Sequence, residues 1–273
     1  MTYTATTIAA RRTLLDALQA LEAQRDALVL VGAQAVYVYT GEADVLIATQ
    51  TKDSDLAVIP ANLHDTPTLD EAMRAAGFLQ DITEHQPGAW LSPDGIPVEL
   101  LVPAALHRGG GRRGARIPPH SKRAARTVPG LEAAAVDHRP HTIAALDPAD
   151  DRRIDANVAS PAALVVAKVH KIGERHDRDP GRLLDKDAHD LYRLLRAVDT
   201  DEIADGLNRL RSDRTSAAVT SDALRWLRNL ADDPAALIPT MAGRTEQNVG
   251  DPQLVADATW ALVQELVSGL RAM

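Results

Sequence analysis

Val29-Leu30-Val31-Gly32-Ala33-Gln34-Ala35, followed further along by Thr51-Lys52-Asp53-Ser54-Asp55-Leu56-Ala57-Val58, is the pair of stretches that decides the fold. Leu28 to Val31 is a short apolar run that stops at a glycine, and Ala33 to Tyr39 can start a helix there. Asp53-x-Asp55 then opens a second apolar run, Leu56 to Ile59, which reads as a strand. Side chains two apart on a strand point to the same face, roughly 6.5–7 Å apart along it. Two carboxylates so placed at a strand's start can hold one or two divalent cations beside a triphosphate. A third acid, Glu99, lies in Ile96-Pro97-Val98-Glu99-Leu100-Leu101-Val102, which also reads as a strand.

Each piece also has an ordinary reading. In a chain with 38 acidic residues an Asp-x-Asp is commonly a solvated turn or a helix cap. Glycine after a strand is ordinary punctuation, and Glu99 fits a carboxylate on the wet face of a sheet. The order is strand, small-residue turn, helix, Asp-x-Asp strand, acid-bearing strand. That order resembles the nucleotidyltransferase fold of the DNA polymerase β superfamily. The resemblance implies an α+β chain whose mixed sheet carries flanking helices. It also implies Asp53 and Asp55 as ligands of Mg²⁺, Glu99 as a further ligand, and Gly32, Ala33 and Lys52 near the nucleotide. The superfamily usually shows Gly-Gly or Gly-Ser where this chain has Gly32-Ala33, so no serine hydroxyl is present there to touch a phosphate.

The composition is that of a globular protein, with 45% hydrophobic and 25% charged residues in 273. That length holds one large domain or two modest ones. There is no cysteine, hence no disulfide framework and no thiolate metal site, which fits a reducing compartment. No apolar run approaches the ~20 residues that span a bilayer. The N-terminus lacks a basic region followed by an apolar stretch, so the expected location is cytoplasmic, without a membrane partner. A net charge of -8 argues against indiscriminate nucleic-acid binding over the whole surface.

Positive charge is instead concentrated between His107 and Arg126, HRGGGRRGARIPPHSKRAAR, where no acid occurs. Three consecutive glycines and the Pro118-Pro119 pair disfavour a long helix, so a flexible loop is expected. Two readings stand side by side. One is a solvated insertion. The other is a phosphate-binding loop in which Arg108, Arg112, Arg113, Arg116, Lys122 and Arg123 meet a nucleotide or an RNA backbone. Aromatic content of 3% gives little support to base-stacking platforms.

Lysine is scarce: only Lys52, Lys122, Lys168, Lys171 and Lys186. Three of these fall in one segment, Ala162 to Arg175 followed by Leu183 to Tyr192. Ser160-Pro161 is a good helix start, and Lys168, Lys171 and Arg175 are spaced to share a helix face. After the break at Asp179-Pro180-Gly181 a second helix is expected near Asp185, with Asp187 and Asp190 on one face. Two such helices can place cations opposite carboxylates, either as an interhelical salt bridge or as part of an active site. The pattern Lys168-x6-Arg175 with Lys186-Asp187-x-x-Asp190-Leu191-Tyr192 resembles the C-terminal motif of the AbiEii and MenT toxin family of nucleotidyltransferases. By that resemblance Lys168 would bind the triphosphate, with Lys171 and Arg175 beside it, and Asp190 would complete the catalytic set with Asp53 and Asp55.

The remaining layout predicts helices over Ala10–Gln24 and Leu69–Ala76, a strand over Phe78–Thr83, and a hairpin of Ala89–Leu91 with Ile96–Val102. Thr142–Leu146 and Ile154–Val158 are expected as edge strands. Beyond Ser160 helices are expected over Pro161–Glu174, Leu184–Val198, Thr200–Leu210, Ser216–Leu230 and Leu254–Leu270. This gives a nucleotidyltransferase core over 1–155 and a C-terminal helical bundle over 156–273. The expected activity is transfer of a nucleoside monophosphate from a nucleoside triphosphate to an acceptor hydroxyl. The toxin resemblance favours a tRNA 3′ end as acceptor and a cognate antitoxin as partner. An antibiotic-modifying nucleotidyltransferase and a catalytically silent binding module are the alternatives.

Overall fold

The computed structural model describes residues 3–41, 53–81, 86–107, 114–247 and 250–270. The chain is α+β and divides into two compact units, 1–35 with 50–159 and 36–49 with 160–273.

In the first unit, α1 (Ala5–Ala20) precedes β1 (Leu28–Val31), and Gly32 opens α2 (Gly32–Thr40). The chain continues through β2 (Ser54–Val58), α3 (Leu69–Ala75), β3 (Leu79–Gln80), β4 (Ala89–Leu91), β5 (Pro97–Pro103) and β6 (Arg126–Val128). It closes with α4 (Glu132–Val136), β7 (His138–Ala144) and β8 (Arg153–Ala159). These strands form one mixed sheet in the order β3-β4-β5-β2-β1-β8-β7, with β6 added beside β5. All four residues of β1 are buried because it runs inside the sheet, antiparallel to β2 and parallel to β8. That is why its sequence is continuously apolar and not alternating. Ser54, Leu56 and Val58 point to one face of β2, where Ser54 Oγ donates to the Ala10 carbonyl of α1 at 3.4 Å. Asp53 and Asp55 therefore belong to the opposite face.

Several sequence expectations need correction. α1 begins at Ala5 because Thr4 accepts a hydrogen bond from the Thr7 amide as its cap, and a 3-10 turn over Glu22–Ala27 replaces the expected final helical turn. Of the two strands expected at an edge, β8 is an inner strand and β7 is an edge. β8 pairs with β7 along all seven residues but with β1 only through Asn157 and Val158, so its first half extends past the shorter strand and looks like an edge in sequence. The segment after Gly114 is no solvated insertion. Ala115, His120, Ala124 and Ala125 are buried, the Leu69 amide donates to His120 Nδ1 at 3.0 Å, and Trp90 Nε1 donates to the Ala124 carbonyl at 2.9 Å.

The second unit is helical: α5 (Pro161–Arg178), α6 (Asp185–Ala197), α7 (Thr200–Ser212), α8 (Ala217–Leu230), α9 (Leu237–Arg244) and α10 (Pro252–Gly269). Ser160 caps α5 by accepting from the Ala163 amide, with Pro161 in the first turn. α5 packs against α6, α7 and α8, while α9 packs on α6 and α10. Gly173 lets α5 approach α8 closely: a Cβ there would sit 2.1 Å from the Trp226 ring. α9 lies outside the helices expected from the sequence; its Pro239 falls in the first turn, where a proline lacks only an amide that has no helical partner. Among the described residues no helix is long and apolar enough to cross a membrane.

Candidate functional site

The sheet face that carries the acids is built from three neighbouring strands. Asp55 lies in register with Val31 on one side and with Glu99 on the other, and the β2–β5 pairing is parallel. Directly opposed residues in a ladder project to the same face, so Asp55 and Glu99 share it, and Asp53 joins them by the two-residue period. All three are partly exposed, whereas Ser54, Leu56 and Val98 on the other face are buried.

Gly32 sits at the turn from β1 into α2 with φ +69°, a left-handed conformation that favours glycine. A second constraint is spatial: a Cβ on Gly32 would lie 2.1 Å from Asp55 Oδ2. The Asp55 carboxylate is thus seated against the first residue of α2, where the unshared amides of a helix favour negative charge. Ala33 follows in the same first turn. The strand-glycine-helix turn and the Asp-x-Asp strand are brought together by the β1–β2 pairing.

Glu99 is paired. Its Oε2 accepts from Arg126 NH2, with side-chain exposures of 27% and 22%. Arg126 is the first residue of β6, opposite Leu101 of β5. The sequence places it at the end of the basic loop, as one more of that loop's cations and with no link to Glu99. Its signal was the step from a glycine- and arginine-rich run into Ala124-Ala125-Arg126-Thr127-Val128, where the flanks become apolar. Among the described residues no group of three His, Cys, Asp or Glu side chains is gathered closely enough to hold a metal ion. Mg²⁺ is commonly bound through one or two protein carboxylates together with substrate phosphates, so the Asp53–Asp55 pair suits it without a third acid.

Of the other cations expected at the nucleotide or nucleic acid, Arg116, Lys122 and Arg123 are exposed on the first unit. Arg123 Nε donates to Gln80 Oε1 at 3.1 Å, and the Arg116 amide donates to His107 Nε2 at 2.8 Å. Lys52, Arg108, Arg112 and Arg113 lie outside the described residues.

The second unit gathers the C-terminal motif into an ion-pair cluster. Lys168 Nζ donates to Asp190 Oδ2 at 2.6 Å and to Asp187 Oδ1 at 3.1 Å. Lys171 reaches Asp187 Oδ1 at 3.0 Å, and Arg175 approaches Asp187 Oδ2 at 3.4 Å. Both aspartates are 1% exposed and Lys168 is 7% exposed. Burial disfavours the Lys168 ammonium, but Asp190 and then Asp187 outweigh it and hold its pKa above the ordinary lysine value. For Asp187 burial acts upward, while Lys168 and Lys171 prevail and keep it below the usual carboxylate range. The helix positions explain the arrangement: Lys168 stands four residues from the buried Leu164 and Ile172, on the apolar stripe of α5, while Lys171 is 38% exposed at its margin. Beside the cluster on α6, Arg193 NH2 donates to Thr40 Oγ1 at 2.8 Å and its guanidinium lies 4.5 Å from the Tyr37 ring centroid.

No curated protein matches the chain. A family model described as Nucleotidyltransferase matches residues 10–213, a span that begins in α1, takes in the acid-bearing sheet face and runs through α5, α6 and α7. With that match over most of its length, the chain belongs to a nucleotidyltransferase family and takes a nucleotide as substrate.

Proposed function

We propose that the protein transfers a nucleoside monophosphate from a nucleoside triphosphate to an acceptor hydroxyl, using a divalent cation held by Asp53 and Asp55. The observation that carries this reading is the placement of those two acids on one face at the start of β2, with Asp55 seated against Gly32 at the opening of α2. In the reaction a bond forms between the acceptor oxygen and the α-phosphorus. The bond from the α-phosphorus to the bridging oxygen breaks, pyrophosphate leaves, and the acceptor's proton passes to solvent or to a nearby base. Asp53 and Asp55 hold and orient the cation, and the first-turn amides at Gly32 and Ala33 offer donors to a phosphate oxygen. When bound, Mg²⁺ neutralises the charge that grows on the phosphates.

The acceptor we propose is a nucleic acid, with a tRNA 3′ end favoured by the toxin-like pattern from Lys168 to Tyr192 and by the exposed Arg116, Lys122 and Arg123. A toxin of this kind would have an antitoxin as its partner. The test is direct. Each nucleoside triphosphate is added with and without Mg²⁺ while the unfolding midpoint is followed, and transfer of label from α-labelled nucleotide is then measured on tRNA and on aminoglycosides. Mg²⁺-dependent stabilisation by at least one triphosphate, with label on tRNA, is the expected result. Label on aminoglycoside instead assigns an antibiotic-modifying enzyme, and no Mg²⁺-dependent stabilisation assigns a binding module.

A further inference from the structure

Arg126 occupies a place on the acid-bearing face that the proposed reaction has not used. Its strand, β6, runs parallel to β5, and Arg126 stands directly opposite Leu101. Leu101 is two residues from Glu99, so Arg126, Glu99 and Asp55 all project to the same face of the sheet. Two strand spacings, about 10 Å, separate the backbone of β2 from that of β6, a gap that an arginine side chain largely crosses. The backbone around Arg126 is held on both sides, by β5 and by an antiparallel bridge to Gly114. A group so fixed is a better ligand holder than one on a loose loop.

The guanidinium has five N–H donors in a planar fork suited to phosphate oxygens. One is engaged by Glu99, and among the described residues the buried Nε–H has no hydrogen-bond partner. The side chain keeps 22% of its surface exposed, so its outer donors are reachable. Glu99, for its part, faces the Asp55 carboxylate across the ladder, where a like charge directly opposite is unfavourable unless it is answered. Arg126 answers it.

Resting on the nucleotidyl-transfer reading above, we infer that Arg126 binds the triphosphate chain of the nucleotide, and that Glu99 is the carboxylate that positions this arginine, not a metal ligand. The site then uses one metal pair, Asp53 with Asp55, and one fixed arginine on the next strand but one.

Inorganic tripolyphosphate with Mg²⁺ is the probe for the arginine, titrated calorimetrically into the full chain. Binding of Mn²⁺, followed by the paramagnetic resonance of the free ion, is the probe for the metal. Arg126→Met is expected to weaken tripolyphosphate about tenfold, the loss of one charge-assisted pair, without lowering the number of bound Mn²⁺ ions. Arg126→Lys should recover only part of that loss, because an ammonium lacks the fork. Glu99→Gln should leave Mn²⁺ binding unchanged and weaken tripolyphosphate by a smaller factor. Because Arg126→Met strands Glu99, the double variant Glu99→Gln, Arg126→Met supplies a charge-balanced control that must show the same tenfold loss. Wild-type affinity for tripolyphosphate in either arginine-to-methionine variant overturns the inference, and so does loss of a Mn²⁺ site in Glu99→Gln. Asp55→Ala separates the two levels: if it binds Mn²⁺ as wild type does, the reading of the metal pair fails and this inference falls with it. If Asp55→Ala loses Mn²⁺ while Arg126→Met keeps tripolyphosphate, only the role of Arg126 is lost.

Discussion

On the sheet face of the first unit Asp53 and Asp55 are partly exposed, whereas Asp187 and Asp190 in the helical unit are almost wholly buried against lysine and arginine. Both regions are rich in charge, and both carry motifs that resemble nucleotidyltransferases. Their physics differs. A carboxylate that keeps contact with water can exchange one cation for another at modest cost, which a site that loads and releases a metal–nucleotide complex requires. A carboxylate removed from water must be answered permanently from within, because an uncompensated buried charge is strongly destabilising. The position of an acid, more than its motif, therefore separates a place for exchange from a place for structure.

The largest effect is expected at the exposed pair. Asp55→Ala, and likewise Asp53→Ala, should lower nucleotidyl transfer by about a thousandfold, about 4 kcal/mol of transition-state stabilisation. The unfolding midpoint of the apo protein should change little beside that loss, because the mutual repulsion of the two carboxylates is offset at Asp55 by its seat against the first turn of α2. Transfer at wild-type rates in either variant would remove the contrast between the two regions.

At the buried cluster the order of effects should invert. Lys168→Met leaves Asp190 buried without its lysine, and breaking such a pair costs roughly 3–5 kcal/mol. For a chain of this size that is a fall of about 10 °C in unfolding midpoint. Replacing both partners, Lys168→Met with Asp190→Leu, should recover much of the loss, since an apolar pair of similar volume is tolerated where a lone charge is not. Transfer measured well below the lowered midpoint then sharpens the comparison: a surviving turnover in the double variant marks the cluster as structural, and an abolished one gives Lys168 and Asp190 the chemical role that their motif implies.

How much of this was legible follows the range of the interactions. β1, α2, β2 and β5 were readable because a four-residue apolar run, a glycine and an alternation of acid with apolar residues are local signals. β6 has three residues and exists because β5 offers a free edge to pair with, and nothing within Arg126-Thr127-Val128 announces that. For the same reason Arg126 read as the tail of a basic loop, although the contact that gives it meaning, Glu99, lies 27 residues away. Lys168 is the opposite case. Its face was readable from Leu164 and Ile172 at four-residue spacing, but its charge drew it toward the polar side with Lys171 and Arg175. Helical period was the better guide than residue type.

Gly32 tests whether the exposed region depends on backbone geometry as closely as on its acids. Gly32→Ala adds a Cβ at a left-handed φ and drives it against Asp55 Oδ2. The strain should cost about 1–2 kcal/mol of stability. The larger consequence is for Asp55, which must move away from its place, and transfer should fall by at least about tenfold, since small misplacements of a catalytic group are expensive. A variant with full transfer would show that the close seat of Asp55 on α2 has no part in the chemistry.

The smallest expected effect lies at a second buried group in the helical unit, and it concerns pH. His189 is fully buried on α6, neither ring nitrogen has a hydrogen-bond partner among the described residues, and its Nε2 lies 3.4 Å from Glu246 Oε1. Burial pushes the imidazole down to about 4, with Asp190 acting upward and Arg193 downward, while burial holds the Glu246 carboxyl above its ordinary value. Between about pH 6.5 and 4 the unfolded chain therefore takes up a proton that folded His189 refuses, so this residue costs stability as pH falls through that window. Glu246 acts in the other direction, because its raised pKa means that protonation on acidification relieves a penalty present at neutral pH. The histidine's share of the loss from pH 7 to pH 5 is about 2 kcal/mol, and Glu246 offsets part of it. His189→Leu should remove the histidine's share, so the variant should lose about 2–6 °C less in unfolding midpoint over that interval than the wild type does. Parallel midpoint curves for the two proteins would mean that His189 titrates normally when folded. Burial in this unit would then not compel charge to be settled internally, and the contrast with the exposed acids would have to rest on the Lys168 cluster alone.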